Sequence, residues 1–126
     1  MKFNLQIAWL WVLLGFVSGM LQGMFFHREN WLGGYGSFMR RMYRLAHISF
    51  FGLGALNLLF FFTVRTISLT GDLVNFAGWG FIIGAVSMPV CCVIMAHRPR
   101  LHALFAVPVI SLIAAGAITL LEVIQL

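Results

Sequence analysis

The sequence has 126 residues, of which 62% are hydrophobic and only 9% are charged. Soluble domains contain about 25% charged residues, so this composition excludes a soluble globular fold and leaves the lipid bilayer as the solvent. The net charge of +5 is better explained by basic loops that orient the chain in a membrane than by nucleic-acid binding. We therefore expect the bilayer, and no nucleic acid, as a partner.

Four apolar stretches predict four transmembrane helices, at about residues 5–26, 38–64, 76–96 and 103–124. Each is long enough to cross a hydrocarbon layer about 30 Å thick. Ser37 is suited to cap the second helix, whose first two turns are basic and amphipathic. The sequence thus predicts an all-α integral membrane protein with a single domain of four antiparallel helices and an amphipathic extension before the second.

Basic residues are divided unequally between the two sides of this predicted bundle. One side holds Lys2 and Arg65, whereas loops 27–37 and 97–102 with their flanks hold six arginines: Arg28, Arg40, Arg41, Arg44, Arg98 and Arg100. Cytoplasmic loops are enriched in Lys and Arg. We therefore expect both termini outside, both basic loops in the cytoplasm, and a bacterial inner membrane as the location.

Small residues four positions apart predict close helix packing in two of the spans. A buried amide in the second span is expected to join helices by hydrogen bonds. The predicted packing residues are Gly15, Gly19, Gly23, Gly80, Gly84 and Asn57.

The histidines indicate a candidate cofactor site, because every predicted span has one at its cytoplasmic end. These residues are His27, His47, His97 and His102. Imidazoles on facing helices of a bundle can ligate a haem iron, and Arg40 and Arg44, one and two turns before His47, suit haem propionates. We expect a b-type haem or a quinone near the cytoplasmic face, with His47 as the favoured iron ligand and His27 or His97 opposite.

Two other interpretations stay open. Histidine and arginine at span ends are also ordinary interfacial residues, so the chain is alternatively a structural or assembly subunit with no cofactor, or a small channel or transporter. Soft ligands shared by spans one and three suit Cu(I), but copper is disfavoured because methionine mostly fills gaps in packing. Those ligands are Met20, Met24, His27, Met88, Cys92 and Met95.

The small number and the positions of the acidic residues limit the functions that the chain can carry out. Glu29, Asp72 and Glu122 are the only carboxylates, and none lies near mid-membrane, where a proton-coupled carrier normally needs one. No catalytic set can be assembled, so we do not expect an enzyme acting alone. The sequence favours a non-catalytic or redox-cofactor subunit of an oxidoreductase, held with other membrane subunits in a respiratory or other electron-transfer complex.

The predicted orientation can be tested with reporter fusions. Alkaline phosphatase fused after Leu126 is expected to be active, because its disulfides form only in an oxidising compartment, and a fluorescent protein that folds only in the cytoplasm should stay dark there. Fusions after Ser37 should give the opposite pattern. Fluorescence at Leu126 would invert the predicted topology.

Overall fold

The computed structural model describes residues 2–126 of the chain. Its elements in order are helix α1 (Lys2–Phe25), a 3-10 turn (Trp31–Gly33), helices α2 (Phe38–Thr66) and α3 (Asp72–His97), a 3-10 segment (Pro99–Phe105) and helix α4 (Ala106–Ile124). Four helices are long and apolar enough to cross a membrane, the last counted with the 3-10 segment before it. The predicted fold class, an all-α integral membrane protein with four spanning helices, is confirmed.

The helix boundaries follow local capping chemistry. Ser37 caps α2 as predicted, since its hydroxyl accepts a hydrogen bond of 3.1 Å from the backbone N–H of Arg40. Helix α3 begins at Asp72 rather than near residue 76, and a carboxylate in the first turn favours that earlier start by interacting with the helix dipole. The predicted start of the fourth helix, residue 103, lies within the 3-10 segment Pro99–Phe105.

Each helix packs mainly against its neighbours in the sequence, so α2 and α3 form the centre. In its most apolar window α3 has 44% of its residues buried, compared with 17% for α1 and 11% for the fourth span. Helices α1 and α4 are therefore peripheral. We call the side where α1 ends, α2 begins and α3 ends the basic end, because six of the eight Lys and Arg residues lie there.

Helix α1 attaches through a narrow seam. Its buried residues are Asn4, Ala8, Trp11 and Gly15, and the half-buried Ser18 and Gln22 continue the same series. Alternating steps of four and three residues keep side chains on one face of a helix. The face that α1 turns inward is thus made of small or hydrogen-bonding residues, with no large aliphatic side chain among these six.

Polar side chains near the opposite end join three helices. The Asn4 side-chain amide donates to Asn57 Oδ1 at 2.8 Å and to the carbonyl of Gly78 at 3.0 Å. The Asn57 amide donates to the carbonyls of Leu53 and Phe81 at 2.9 and 3.3 Å. Both side chains are almost wholly buried, and together they link α1, α2 and α3, the kind of contact predicted for Asn57.

Trp11 makes the next contact along the seam. Its indole N–H donates to the carbonyl of Ala85 in α3 at 2.8 Å. Beside it, the backbone of α2 comes close at Gly54, where a Cβ would lie 3.1 Å from the Ala8 carbonyl oxygen. Close approach at a glycine and hydrogen bonds from Trp11 and Asn4 thus hold the first half of α1.

The predicted packing glycines differ in what they meet. Gly15 and Gly19 lie against Phe51 and His47 of α2, and a Cβ at Gly80 would lie 2.9 Å from the Cβ of Ala115 in α4. Gly84 is similarly close to Leu112, also in α4, whereas Gly23 has open space around it. Four of the five glycines therefore bring helices together within the chain, and Gly23 does not.

The amide pair gives a test of helix attachment. We expect Asn4→Leu and Asn57→Leu each to lower the free energy of unfolding, because each leaves a buried amide without its partner. In a double-mutant cycle the two should couple by about 0.6–1.7 kcal/mol, the range for hydrogen bonds between membrane helices. The measurement is a denaturant titration of the purified protein in detergent.

Thr63→Val is the matched control for this cycle. The Thr63 hydroxyl bonds only to the Leu59 carbonyl of its own helix, so its removal should change stability by about 0.5 kcal/mol or less. Additive effects of the two asparagine substitutions would show that the observed bond does not contribute.

Candidate functional site

A groove opens where α1 separates from α3. Asn4 and Trp11 bond to α3, but Ser18 and Gln22 bond only to α2 among the other helices. The space left on the basic side is a cavity of about 400 Å³, which we call the His47 groove. It is lined by Ser18, Leu21, Gln22, Phe25, Trp31, Tyr43, Ala46, His47, Phe50 and Val93.

A second cavity continues the His47 groove toward the bilayer centre. It has a volume of about 360 Å³ and shares Ala46, Phe50 and Val93 with the groove. Its other lining residues, Trp11, Val86, Pro89, Val90 and Ile94, present only apolar surface. We call it the tail track. Trp11 and Phe25, the outermost α1 residues of the two linings, are 14 residues apart, so the cavities together extend about 21 Å along the helix.

His47 is held on three sides within the groove. Its Nδ1 is 2.8 Å from Ser18 Oγ, and its ring meets Phe51 edge-to-face with centroids 5.5 Å apart. The ring lies directly on Gly19, where a Cβ would be 2.7 Å from His47 Cε1. A glycine at this position is therefore what allows the imidazole to lie between α1 and α2.

The direction in which the Ser18 hydroxyl donates determines which ring nitrogen of His47 carries the proton. Ser18 Oγ also lies 3.0 Å from the carbonyl of Gly15, and a hydroxyl has one proton to donate. When that proton goes to Gly15, Ser18 accepts from Nδ1–H and His47 Nε2 carries the free lone pair. When the hydroxyl rotates toward Nδ1, Nε2 carries the proton instead. Nε2 has no hydrogen-bond partner among residues 2–126, so it is the nitrogen left for a ligand.

Two further polar groups border the groove. The Gln22 side chain donates to the backbone carbonyl of Tyr43 at 2.9 Å, which leaves its own carbonyl oxygen free to accept. The Tyr43 hydroxyl is 2.7 Å from Nε2 of His97, and the two rings meet edge-to-face at 5.8 Å. Tyr43 therefore connects the groove to an exposed imidazole at the end of α3.

Arg40 organises the loop that covers the basic end of the groove. It is only 1% exposed, and its guanidinium donates to the carbonyls of Phe26 and Arg28, where α1 has ended. The rings of Tyr35, Phe26 and Trp31 surround it, with centroids 4.1, 4.9 and 5.3 Å from Cζ. Cations over aromatic faces are attracted by the ring quadrupole, so one buried charge fixes both backbone and aromatic groups of this loop.

The loop in turn shapes the groove. Trp31 stacks on Phe25 with centroids 5.8 Å apart and an interplanar angle of 19°, and both residues line the groove. Leu32 has a φ of 52° and Gly33 a φ of 86°, a left-handed pair that reverses the chain after Trp31. Arg40 thus acts on the groove indirectly, by holding Trp31.

The other predicted site residues lie outside the groove. His27 is exposed, and only its backbone carbonyl is used, by the Tyr35 hydroxyl at 3.1 Å. His102 and Arg44 are exposed as well. The structure therefore places His47 alone of the four histidines in the groove and brings His97 next to Tyr43, one turn before His47 on α2.

The soft-ligand set predicted for Cu(I) is not gathered in one place. Met20 and Met24 are 61% and 59% exposed on the outer surface of α1, whereas Cys92 is fully buried in α3. Across residues 2–126 no three His, Cys, Asp or Glu side chains are close enough together to hold a metal ion.

Ser18 and Trp31 are among the site residues that had no role in the sequence-based hypothesis. Ser18 follows Trp11 by one heptad. Asn4, Trp11 and Ser18 are spaced seven residues apart, and this heptad spacing would have predicted that Ser18 lies on the same face of α1 as the other two. No local pattern predicts that Trp31 folds back over the groove, because that depends on the buried Arg40.

Comparisons with known proteins give no assignment. The chain matches no protein-family model, no curated protein and no solved structure. Its class, a helical integral membrane protein, therefore rests on the fold itself, and its function on the chemistry of the groove.

Substitution of Arg40 tests whether this residue stabilises the loop between α1 and α2. Arg40→Lys keeps the charge and the tryptic site but removes the planar fork that reaches two carbonyls. We expect trypsin to cut the detergent-solubilised variant after Arg28 about tenfold faster, which corresponds to about 1.4 kcal/mol of lost loop stability. Arg41→Lys, at the exposed neighbouring position, is the control, and equal cleavage rates in the two variants would contradict this role of Arg40.

Proposed function

We propose that this protein is a small, non-catalytic subunit of a membrane electron-transfer complex and that it binds an isoprenoid quinone or quinol in the His47 groove. The observation that carries the proposal is the continuity of two cavities with different linings. The His47 groove is mostly apolar but includes the imidazole of His47 and the amide of Gln22, and it shares three residues with the wholly apolar tail track. A quinone has the same division, with a small polar ring at the end of a long hydrocarbon tail.

The dimensions support this ligand class. Ligand sites usually have volumes of about 300–1,000 Å³, mostly apolar walls and a few placed polar groups. The His47 groove, at about 400 Å³, has these properties, and its aromatic walls, Phe25, Trp31 and Phe50, suit a flat ring. The tail track leads inward along α3, the direction an isoprenoid chain takes when its head lies near the membrane surface.

The polar groups suit both redox forms of the head. When the Ser18 hydroxyl donates to the Gly15 carbonyl, Nδ1 carries the imidazole proton and His47 Nε2 accepts a hydrogen bond from a quinol hydroxyl. When the Ser18 hydroxyl donates to Nδ1, Nε2 carries the imidazole proton and donates to a quinone carbonyl. The free carbonyl oxygen of Gln22 is a second acceptor for a quinol. Rotation of the Ser18 hydroxyl, together with transfer of the His47 proton between its two ring nitrogens, thus adapts the site to either form without moving a helix.

The same geometry favours a quinone over the haem that the sequence also allowed. A haem with two imidazole ligands needs a second histidine facing the first, and His47 is the only histidine that lines the groove. The nearest alternative, His97, has its Nε2 at the Tyr43 hydroxyl. Arg40, the expected propionate partner, donates to two loop carbonyls instead.

Membership of a larger complex follows from the proposed ligand. A bound quinone is useful only next to an electron donor or acceptor, and the two peripheral helices leave most of their apolar surface uncovered. Large exposed side chains such as Phe16, Ile110 and Ile113 lie on that surface, where lipid or other subunits cover them. We therefore propose partner subunits together with the quinone.

Quinone binding can be tested with purified protein in nanodiscs. A short-chain benzoquinone should quench tryptophan fluorescence saturably, because Trp31 lines the groove, and mass spectrometry of extracted lipids should detect a co-purified quinone. His47→Leu is expected to weaken binding at least about tenfold, or about 1.4 kcal/mol. His102→Leu, at an exposed histidine outside the groove, should leave affinity unchanged.

A pair of glycine substitutions gives a second, steric test. Gly19→Ala should weaken binding by displacing the imidazole, whereas Gly23→Ala, one turn further along the same series, should not, because its Cβ meets open space. Equal affinities across His47→Leu, Gly19→Ala and the controls would refute the proposal. A Soret absorption band that depends on His47 would replace the quinone with a haem.

A further inference from the structure

The turn after α3 forms a basic cavity that is separate from the His47 groove. It has a volume of about 360 Å³ and is lined by the five consecutive residues His97, Arg98, Pro99, Arg100 and Leu101. From these contacts and charges we propose that the turn binds the phosphate group of an anionic phospholipid. We call it the 97–101 turn.

The backbone of the 97–101 turn is fixed. The N–H of Arg98 donates to the Ile94 carbonyl at 2.8 Å, and the N–H of Leu101 donates to the Arg98 carbonyl at 3.1 Å. Pro99, between the two arginines, has a φ locked by its ring. The two guanidinium groups therefore start from defined positions two residues apart, around one cavity.

No carboxylate lines the cavity of the 97–101 turn. Asp72 and Glu122 lie at the opposite end of the protein, at the start of α3 and near the end of α4. Glu29 lies in the loop between α1 and α2, at the same end as the turn, but it is not among the lining residues. An anion in the cavity would thus meet two arginines and no acidic side chain in the cavity wall.

Arginine is the side chain best suited to a phosphate group. Its planar fork donates two parallel hydrogen bonds to phosphate oxygens, and these charge-assisted bonds are about twice as strong as neutral ones. Basic residues immediately next to a transmembrane helix attract anionic lipid headgroups. The chemistry of the cavity therefore indicates a phosphate ester.

The surroundings favour a lipid over a soluble phosphate. Pro99 and Leu101 contribute apolar surface to the cavity, and Leu101 and Leu104 are 42% and 36% exposed directly beside it. The turn also follows a spanning helix without a linker. A phospholipid with its phosphate on the arginines would place its acyl chains along these leucines.

The proposal predicts selective retention of acidic lipid. In native mass spectrometry from nanodiscs of mixed phosphatidylcholine and phosphatidylglycerol, the protein should keep phosphatidylglycerol preferentially. Arg98→Gln with Arg100→Gln should weaken that retention at least about tenfold. Arg41→Gln with Arg44→Gln is the matched control, because it removes the same charge from exposed positions at the same end.

Two further measurements distinguish specific phospholipid binding from a general effect of surface charge and from binding of soluble phosphate. Arg98→Lys with Arg100→Lys keeps the charge but removes the planar guanidinium groups, and this variant should retain an intermediate amount of phosphatidylglycerol. In neutral detergent, the unfolding midpoint of every variant should match that of the unmodified protein. Equal loss in the Arg41 and Arg44 control would reduce the effect to general surface charge. Equal thermal stabilisation by inorganic phosphate and phosphatidylglycerol would overturn the assignment to a lipid.

Discussion

The set of side-chain hydrogen bonds that α1 makes, alongside its apolar packing on Leu53 and Ala85, is the constraint on which the rest of the structure depends. Lipid tails are as apolar as leucine, so a membrane helix gains little from burying aliphatic surface against its neighbours. The seam of α1 accordingly presents Asn4, Trp11, Ser18 and Gln22 to acceptors or donors on α2 and α3. Because these bonds are directional, they also fix how α1 is rotated.

The groove is a direct result of which helix receives each bond. Asn4 reaches both α2 and α3, Trp11 reaches α3, and the last two polar residues of the seam reach α2 alone. Helix α1 therefore follows α2 toward the basic end and leaves α3. The same contacts that hold α1 in place put Ser18 against His47, so packing and the proposed chemistry rest on one set of residues.

The sequence was sufficient for the architecture because membrane spans and helix caps are local properties. The four helices and the Ser37 cap follow from runs of apolar residues and from single-residue chemistry. Asn57 was expected to join helices, and it contacts α1 and α3 through its amide. Two helix starts were predicted less well: α3 begins at Asp72 rather than near residue 76, and the 3-10 segment Pro99–Phe105 covers the expected start of the fourth helix.

The site was harder to predict because it depends on rotation between helices. One histidine per span indicated that the four imidazoles lie at a similar depth in the membrane. Depth alone does not decide which way each side chain faces around its helix. The structure turns His47 into the groove, sets His97 against Tyr43, and leaves His27 and His102 exposed. Arg40 was expected to face a ligand because of its place on the helix, yet it is buried under a loop whose fold no short pattern encodes.

The bonds that hold the peripheral helix α1 are distributed unevenly along its length. Asn4 and Trp11 hold the first half of α1 on the central pair, and Ser18 and Gln22 hold its second half on α2 alone. Arg40 of α2 also donates to the carbonyls of Phe26 and Arg28, just after α1 ends. The basic half of α1 is therefore tied to one neighbour, and its position relative to α3 is set through α2.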